Sequence, residues 1–199
     1  MDTKFSIDYI RKEYSPIAVV FGSSSCKVDS PLYNLAISIG KVLTKHGYTI
    51  ANGGYTGVMD GTAKGVNQEN GKIIGITTEE ITKVTPSKFL TEEFREKSLM
   101  SRLEVLLGIG DLYLMMPGST GTLTELVLVW DKMKLGLIPI RPIILLGSTW
   151  ENIFRLMFLE EDLLVPRSAW KKDRDVEENT FMIKEEKDLD DLLTKLSIS

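Results

Sequence analysis

One cysteine, Cys26, and one histidine, His46, stand in a chain of 199 residues. A lone cysteine excludes an intramolecular disulfide and a cysteine-rich metal centre. A lone histidine excludes a polyhistidine zinc site and weakens the case for a Ser/His/Asp triad. Positive charge is not in excess either. The net charge is −4, so no basic field draws the chain to nucleic acid or to an anionic membrane. Long apolar runs are also missing, since none reaches the roughly 18 residues of a membrane span. The opening MDTKFSIDYIRKEYS mixes acids with bases and lacks the apolar core of a signal peptide. The expectation is a cytoplasmic protein with no nucleic-acid and no membrane partner. What is present is ordinary globular composition, 43% hydrophobic and 26% charged. The length suits one domain, residues 1–199, with a sizeable core.

Apolar runs alternate with helical patterns along the chain. PIAVVF (16–21) is short, β-branched and closed by Gly22, which reads as a buried parallel strand. Ser30 suits an N-cap with Pro31 at N1, and Leu32, Leu35, Ile39 and Val42/Leu43 keep helical spacing until Gly47. His46 precedes that glycine, where an imidazole meets the last helix carbonyls. Further strands are expected at 48–52, 72–77, 111–116 and 141–147, with a short strand and a helix inside 179–196. Residues 78–98 read as a polar surface connection, a helix is expected over about 92–108, and 149–163 reads as another. TLTELVLVWDKMKLG (122–136) is apolar around most of its circumference, which fits burial beneath a sheet or between subunits. The charged 170–179 stretch reads as a solvated loop. This alternation predicts an α/β fold: a single Rossmann-like open parallel sheet with helices on both faces. Ligands then bind at the carboxyl ends of the strands, near the point where strand order reverses.

Three strands end in loops rich in glycine or serine: FGSSS (21–25), ANGGYTG (51–57) and MPGSTGT (116–122). All three should open on one edge. Glycine lets backbone amides approach an anion, and a helix start adds unpaired N–H groups and partial positive charge. The third loop adds the hydroxyls of Ser119, Thr120 and Thr122. No Gly-Lys-Ser/Thr appears, so there is no Walker A loop, and no loop has G-x-G-x-x-G spacing. The plainer alternative is that Thr122-Leu123-Thr124-Glu125 is a capping box, with Glu125 folded back on its own helix start.

PGSTGTLTE (117–125) resembles P-G-G-x-G-T-x-x-E, a motif of the LOG-type ("lonely guy") nucleotide phosphoribohydrolases, formerly labelled lysine decarboxylases. GGYTGVMD (53–60) is similar to their second motif, G-G-x-x-G-x-M, which an acid often follows; here that acid is Asp60. VVFGSSS resembles their first-strand loop, and the similarity runs from about residue 16 to about 160. The resemblance implies a nucleotide-binding domain with Arg102 and Glu125 as its catalytic pair, and Asp111 as the acid at a strand entrance. Its phosphate and nucleotide contacts then fall on Gly22, Ser23 and Ser24, on Gly53, Gly54, Gly57 and Met59, and on Pro117, Gly118, Ser119, Thr120, Gly121 and Thr122. Ser119 replaces a motif glycine, and Leu103 and Gly108 replace basic residues, which reduces positive charge near the site.

The implied reaction is hydrolysis of the N-glycosidic bond of a nucleoside 5′-monophosphate, a cytokinin riboside monophosphate or an AMP-like nucleotide, to free base and ribose 5-phosphate. No cofactor and no metal are called for. The implied assembly is a homodimer or larger. A pyridoxal-phosphate decarboxylase would need a Schiff-base lysine, and neither glycine loop presents one; Lys132 and Lys134 lie far along the following helix. The alternatives from another class are a molybdenum-cofactor carrier of the same fold, which binds without cleaving, and a nucleotide sensor.

Overall fold

The computed structural model describes residues 5–154 and 171–197. The apolar runs become strands β1 (Ile17–Phe21), β2 (Thr49–Asn52), β3 (Ile73–Thr78), β5 (Leu112–Met115) and β6 (Ile143–Leu146). With β4 (Glu92–Glu96) and β7 (Thr180–Ile183) they form one seven-stranded sheet, ordered β4-β3-β2-β1-β5-β6-β7. Every pairing is parallel.

Side chains that alternate along each strand supply two cores. Ile17, Val19, Phe21, Tyr113 and Met115 face one layer, while Ala18, Val20, Leu112 and Leu114 face the other. The first layer is covered by α1 (Ile7–Tyr14), α4 (Leu99–Ile109), α5 (Thr120–Lys134), α6 (Ser148–Phe154) and α7 (Lys171–Glu178). The second is covered by α2 (Pro31–Lys45), α3 (Val58–Gln68) and α8 (Glu186–Leu196). The expected α/β architecture, with helices on both faces, is what the chain adopts. None of the described helices is long and apolar enough to cross a membrane.

Helix signals hold at α2, where Ser30 accepts the N–H of Tyr33, Pro31 opens the helix and Gly47 takes φ +82° beyond its end. His46 sits at the C-cap, but its Nε2 shares a 2.8 Å hydrogen bond with Asp190 Oδ1 on α8 instead of turning to the carbonyls of α2. The inner face of α5 packs beneath the sheet through Leu126, Val129, Trp130 and Met133. Asp111 enters β5 as a staple. It accepts the N–H of Ile17 at 3.0 Å and Arg11 Nη2 at 2.7 Å, while Arg11 Nη1 donates to Ile109 O at 2.9 Å. Burial raises the Asp111 carboxyl, but these donors outweigh it and hold the group below the usual carboxylate range.

Two expectations are corrected, and a third is met as far as the described residues reach. The helix expected over 92–108 begins only at Leu99, because Glu92–Glu96 pairs with β3 as an edge strand. Phe94 and Glu96 are buried while Glu92, Glu93 and Arg95 are exposed, a pattern that protects a sheet edge. The charged 170–179 stretch is largely helical as α7, and it buries Val176 in the first core. The helix read over 149–163 is present as Ser148–Phe154; its remainder lies outside the described residues.

Candidate functional site

Strand order reverses at β1. The chain steps outward through β2, β3 and β4, and α4 then carries it back to lay β5 against the other side of β1. The loops after β1, β2 and β5 meet at this switch point. Ser23 N donates to Pro117 O at 3.1 Å, Val58 N to Ser23 O at 2.8 Å, and Thr56 Oγ1 to Ser24 O at 2.9 Å. Gly57 makes the closure between the first two loops feasible. It takes φ +69°, and a Cβ there would lie 2.3 Å from Ser23 O.

The three loops frame a cavity of about 250 Å³, near the lower bound of roughly 300 Å³ for small-ligand sites. Gly22, Ser23 and Ser24 line it from the first loop, Gly53 and Met59 from the second, and Ser119, Gly121 and Thr122 from the third; Arg102 and Glu125 face it as well. Five expected residues shape the loops without lining the cavity. Pro117 accepts the Ser23 amide, and Gly54 donates its N–H to Asn52 Oδ1 at 2.8 Å. Gly57 makes the close approach just described. Gly118 leaves room for Thr122 Oγ1, which a Cβ would approach to 2.1 Å, and Thr120 opens α5.

The start of α5 corrects the capping-box alternative. Ser119, not Thr122, is the N-cap, and no side chain caps the helix. The first helical bond runs from Leu123 N to Ser119 O at 3.0 Å. The amides of Thr120, Gly121 and Thr122 therefore precede the helical ladder, with the positive end of the helix dipole behind them. Glu125, freed from capping, turns to the cavity.

Arg102 is almost wholly buried, at 7% exposure. Its Nε donates to Ile76 O at 2.7 Å, and its guanidinium lies 5.7 Å from the centre of the Tyr55 ring. A Cβ on Gly53 would come within 1.7 Å of Nη2, so the first glycine of the second motif makes space for the arginine. Tyr55 is itself locked: its hydroxyl donates to Thr78 O at 3.2 Å and accepts Thr78 N–H at 3.0 Å. Burial lowers the Arg102 pKa, and the charge of Glu125 opposes that shift. Burial drives Glu125 up to about 7, with Arg102 pulling the other way. One buried cation and one carboxyl that titrates near neutrality thus face one cavity.

The two departures on α4 have structural partners. Leu103 is buried, and Gly108 lies against Ile7 of α1, where a Cβ would meet Ile7 Cδ1 at 2.6 Å. Cationic side chains there would meet α1 and the core. Sequence reasoning missed Val20, Phe21, Tyr55, Thr56, Ile81 and Val84 as lining residues. Tyr55 and Thr56 carried a signal, lying inside the glycine motif. Ile81 and Val84 carried only a faint one, as apolar residues within a polar connection. Among the described residues, no group of three or more His, Cys, Asp or Glu side chains is placed to hold a metal ion.

A family model described as the SLOG cluster4 family matches residues 15–164. The chain belongs to this family. Within the wider likeness, an uncharacterized protein of Archaeoglobus fulgidus is 24% identical over 120 residues, covering 58% of this chain and 74% of its own. The molybdenum cofactor binding protein of Rippkaea orientalis superposes with TM-score 0.68 at 18% identity, covering 91% of this chain and 96% of that one. The molybdenum cofactor carrier protein of Chlamydomonas reinhardtii gives TM-score 0.67 at 18% identity, covering 92% and 99%. At such identities the likeness speaks for a shared fold. The motif resemblance thus holds at the level of a LOG-like family.

Proposed function

We propose that this SLOG cluster4 protein hydrolyses the N-glycosidic bond of a nucleoside 5′-monophosphate. The observation that carries the reading is Glu125: a half-buried carboxyl with a pKa of about 7, facing a buried arginine one helical turn from three free amides. Phosphate meets the amides of Thr120, Gly121 and Thr122 at the positive end of α5. Arg102, fixed by Ile76 O and Tyr55, orients the ribose or a phosphate oxygen. Cleavage breaks the C1′–N bond, and its electron pair leaves with the base. Glu125, ionised, stabilises the oxocarbenium-like carbon and takes a proton from the attacking water. The water oxygen bonds to C1′, and the proton passes to the departing base. Near neutral pH this carboxyl accepts a proton and gives it up again. The assembly proposed with this reading is a homodimer or larger, which sedimentation measures.

The test is chromatography of nucleoside monophosphates, AMP first, after incubation with the protein. Free base and ribose 5-phosphate are expected, and Glu125→Gln should lower base release by roughly 100-fold or more while AMP binding survives. Full activity in that variant removes Glu125 from the mechanism. The second reading, a carrier, draws on the fold shared with two molybdenum-cofactor proteins. Tight binding of the nucleotide or of a phosphorylated pterin, with no base released, would favour it.

A further inference from the structure

Asp60 is the one residue of the second glycine motif with a side-chain network of its own that the reaction above leaves unused. It lies in the first turn of α3, and its carboxylate accepts two hydroxyls, Tyr33 of α2 at 2.5 Å and Ser87 at 2.6 Å. Ser87 belongs to the connection between β3 and β4 and is held three times more, once by the N–H of Leu90, which donates to Ser87 O at 3.4 Å. The N–H of Ser87 donates to Gly54 O at 2.8 Å, and its Oγ accepts the N–H of Phe89 at 3.3 Å. The other end of the connection is tied at Glu80, whose Oε2 accepts the N–H of Leu99 at the start of α4 at 2.7 Å. Between these ties run residues Ile81 to Pro86. Among the described residues none of them makes a hydrogen bond or an ion pair, yet Ile81 and Val84 line the cavity.

A span tied at both ends and free in its middle follows its anchors. We propose that Ile81–Pro86 is a flap forming one apolar wall of the cavity, and that Asp60 is the positioning residue that sets it by fixing Ser87. The phosphate donors sit on α5, so the flap faces the part of the ligand remote from the phosphate. On the reading of the site as a nucleotide glycosidase, on which the kinetic part of this inference rests, that part is the base. Asp60 then acts on how tightly substrate is held and not on bond cleavage, because Arg102 and Glu125 are positioned from α4 and α5.

The experiment has two arms on the intact chain. In the first, Asp60→Asn and Ser87→Ala should each raise KM for AMP about tenfold and leave kcat within about twofold. A fall in kcat at unchanged KM would overturn the role in substrate holding. In the second, trypsin is used without any nucleotide. Lys83 is exposed inside the flap, and cleavage after it should quicken about tenfold in both variants, with melting temperatures within about 3 °C of the parent. Unchanged cleavage at Lys83 in both variants would overturn the anchor. Should Asp60→Asn fail to fold, Ser87→Ala carries both arms. Absence of base release from the parent chain would count against the glycosidase alone, since proteolysis still decides the flap.

Discussion

Residue chemistry here is governed by burial. Arg102 and Glu125 are ordinary surface residue types brought into a pocket where water cannot solvate them fully, so each loses part of its preference for charge. The sign of the resulting stability effect follows from Glu125. Its folded pKa of about 7 lies above the ordinary carboxylate value, so the fold holds the proton more tightly than the unfolded chain does. The stability this confers is complete below about pH 4 and is lost as pH rises through 7. Glu125→Gln lacks that loss. Relative to the parent, it should gain up to roughly 3 kcal/mol between pH 5 and pH 8, about 5–10 °C in melting temperature. Thermal melts of both proteins at the two pH values measure it; an identical gap at both would mean that Glu125 ionises as an exposed carboxylate. Position by position, the sequence pointed to Arg102 and Glu125 through their motif context. It could not disclose the burial that alters their chemistry: Arg102, for one, is enclosed by Gly53, Tyr55 and Ile76, on segments remote in the chain.

Elements were legible where local pattern and tertiary demand agree. β1, β2, β5 and β6 are buried on both faces, so continuous apolar runs marked them. α2 carried its own caps. The failures fall where the environment overrides composition. β4 is an edge strand in which Glu92, Glu93 and Arg95 face water, so EEFRE lacked a strand's apolar run, and only pairing with β3 defines it. Among the residues of α7 whose burial is described, Val176 alone is buried, and the stretch is otherwise charged, too little periodicity to distinguish a helix from a loop. The joint between α2 and α3 shows how closely elements approach. A Cβ on Gly65 would come within 2.0 Å of Ile37 O, and one on Gly40 within 2.4 Å of Thr62 O. Both obstacles are backbone, so neither helix can yield without moving whole. Gly65→Ala should therefore lower stability by roughly 1–3 kcal/mol, although alanine favours a helix by about 1 kcal/mol over glycine. Urea denaturation is the measurement, and a stabilised variant would show that the helices slide apart freely.

At the scale of the whole molecule, one topological fact assembles the site: strand order reverses at β1, so three loops distant in sequence share one edge. A ligand bridging them ties the β1, β2 and β5 segments together and should stabilise the native state by mass action. AMP at about 100 times its dissociation constant should add roughly 2.7 kcal/mol, a rise of about 5–10 °C in melting temperature. Arg102→Met should lose most of that rise, and scanning fluorimetry across an AMP series reads it directly. No rise in the parent chain would mean that the cavity does not take the nucleotide. Local chemistry along the chain set the layered α/β class, the three glycine loops and the motif pair, because strand burial, helix capping and glycine's small size act within a few residues. Tertiary structure alone decided that the stretch after Pro117 is an open helix start and not a closed cap. Glu125 has two possible partners, its own N-cap and the cavity that holds Arg102. Only the packing of α4 against β3 and the second loop brings that buried charge close enough for the cavity to win.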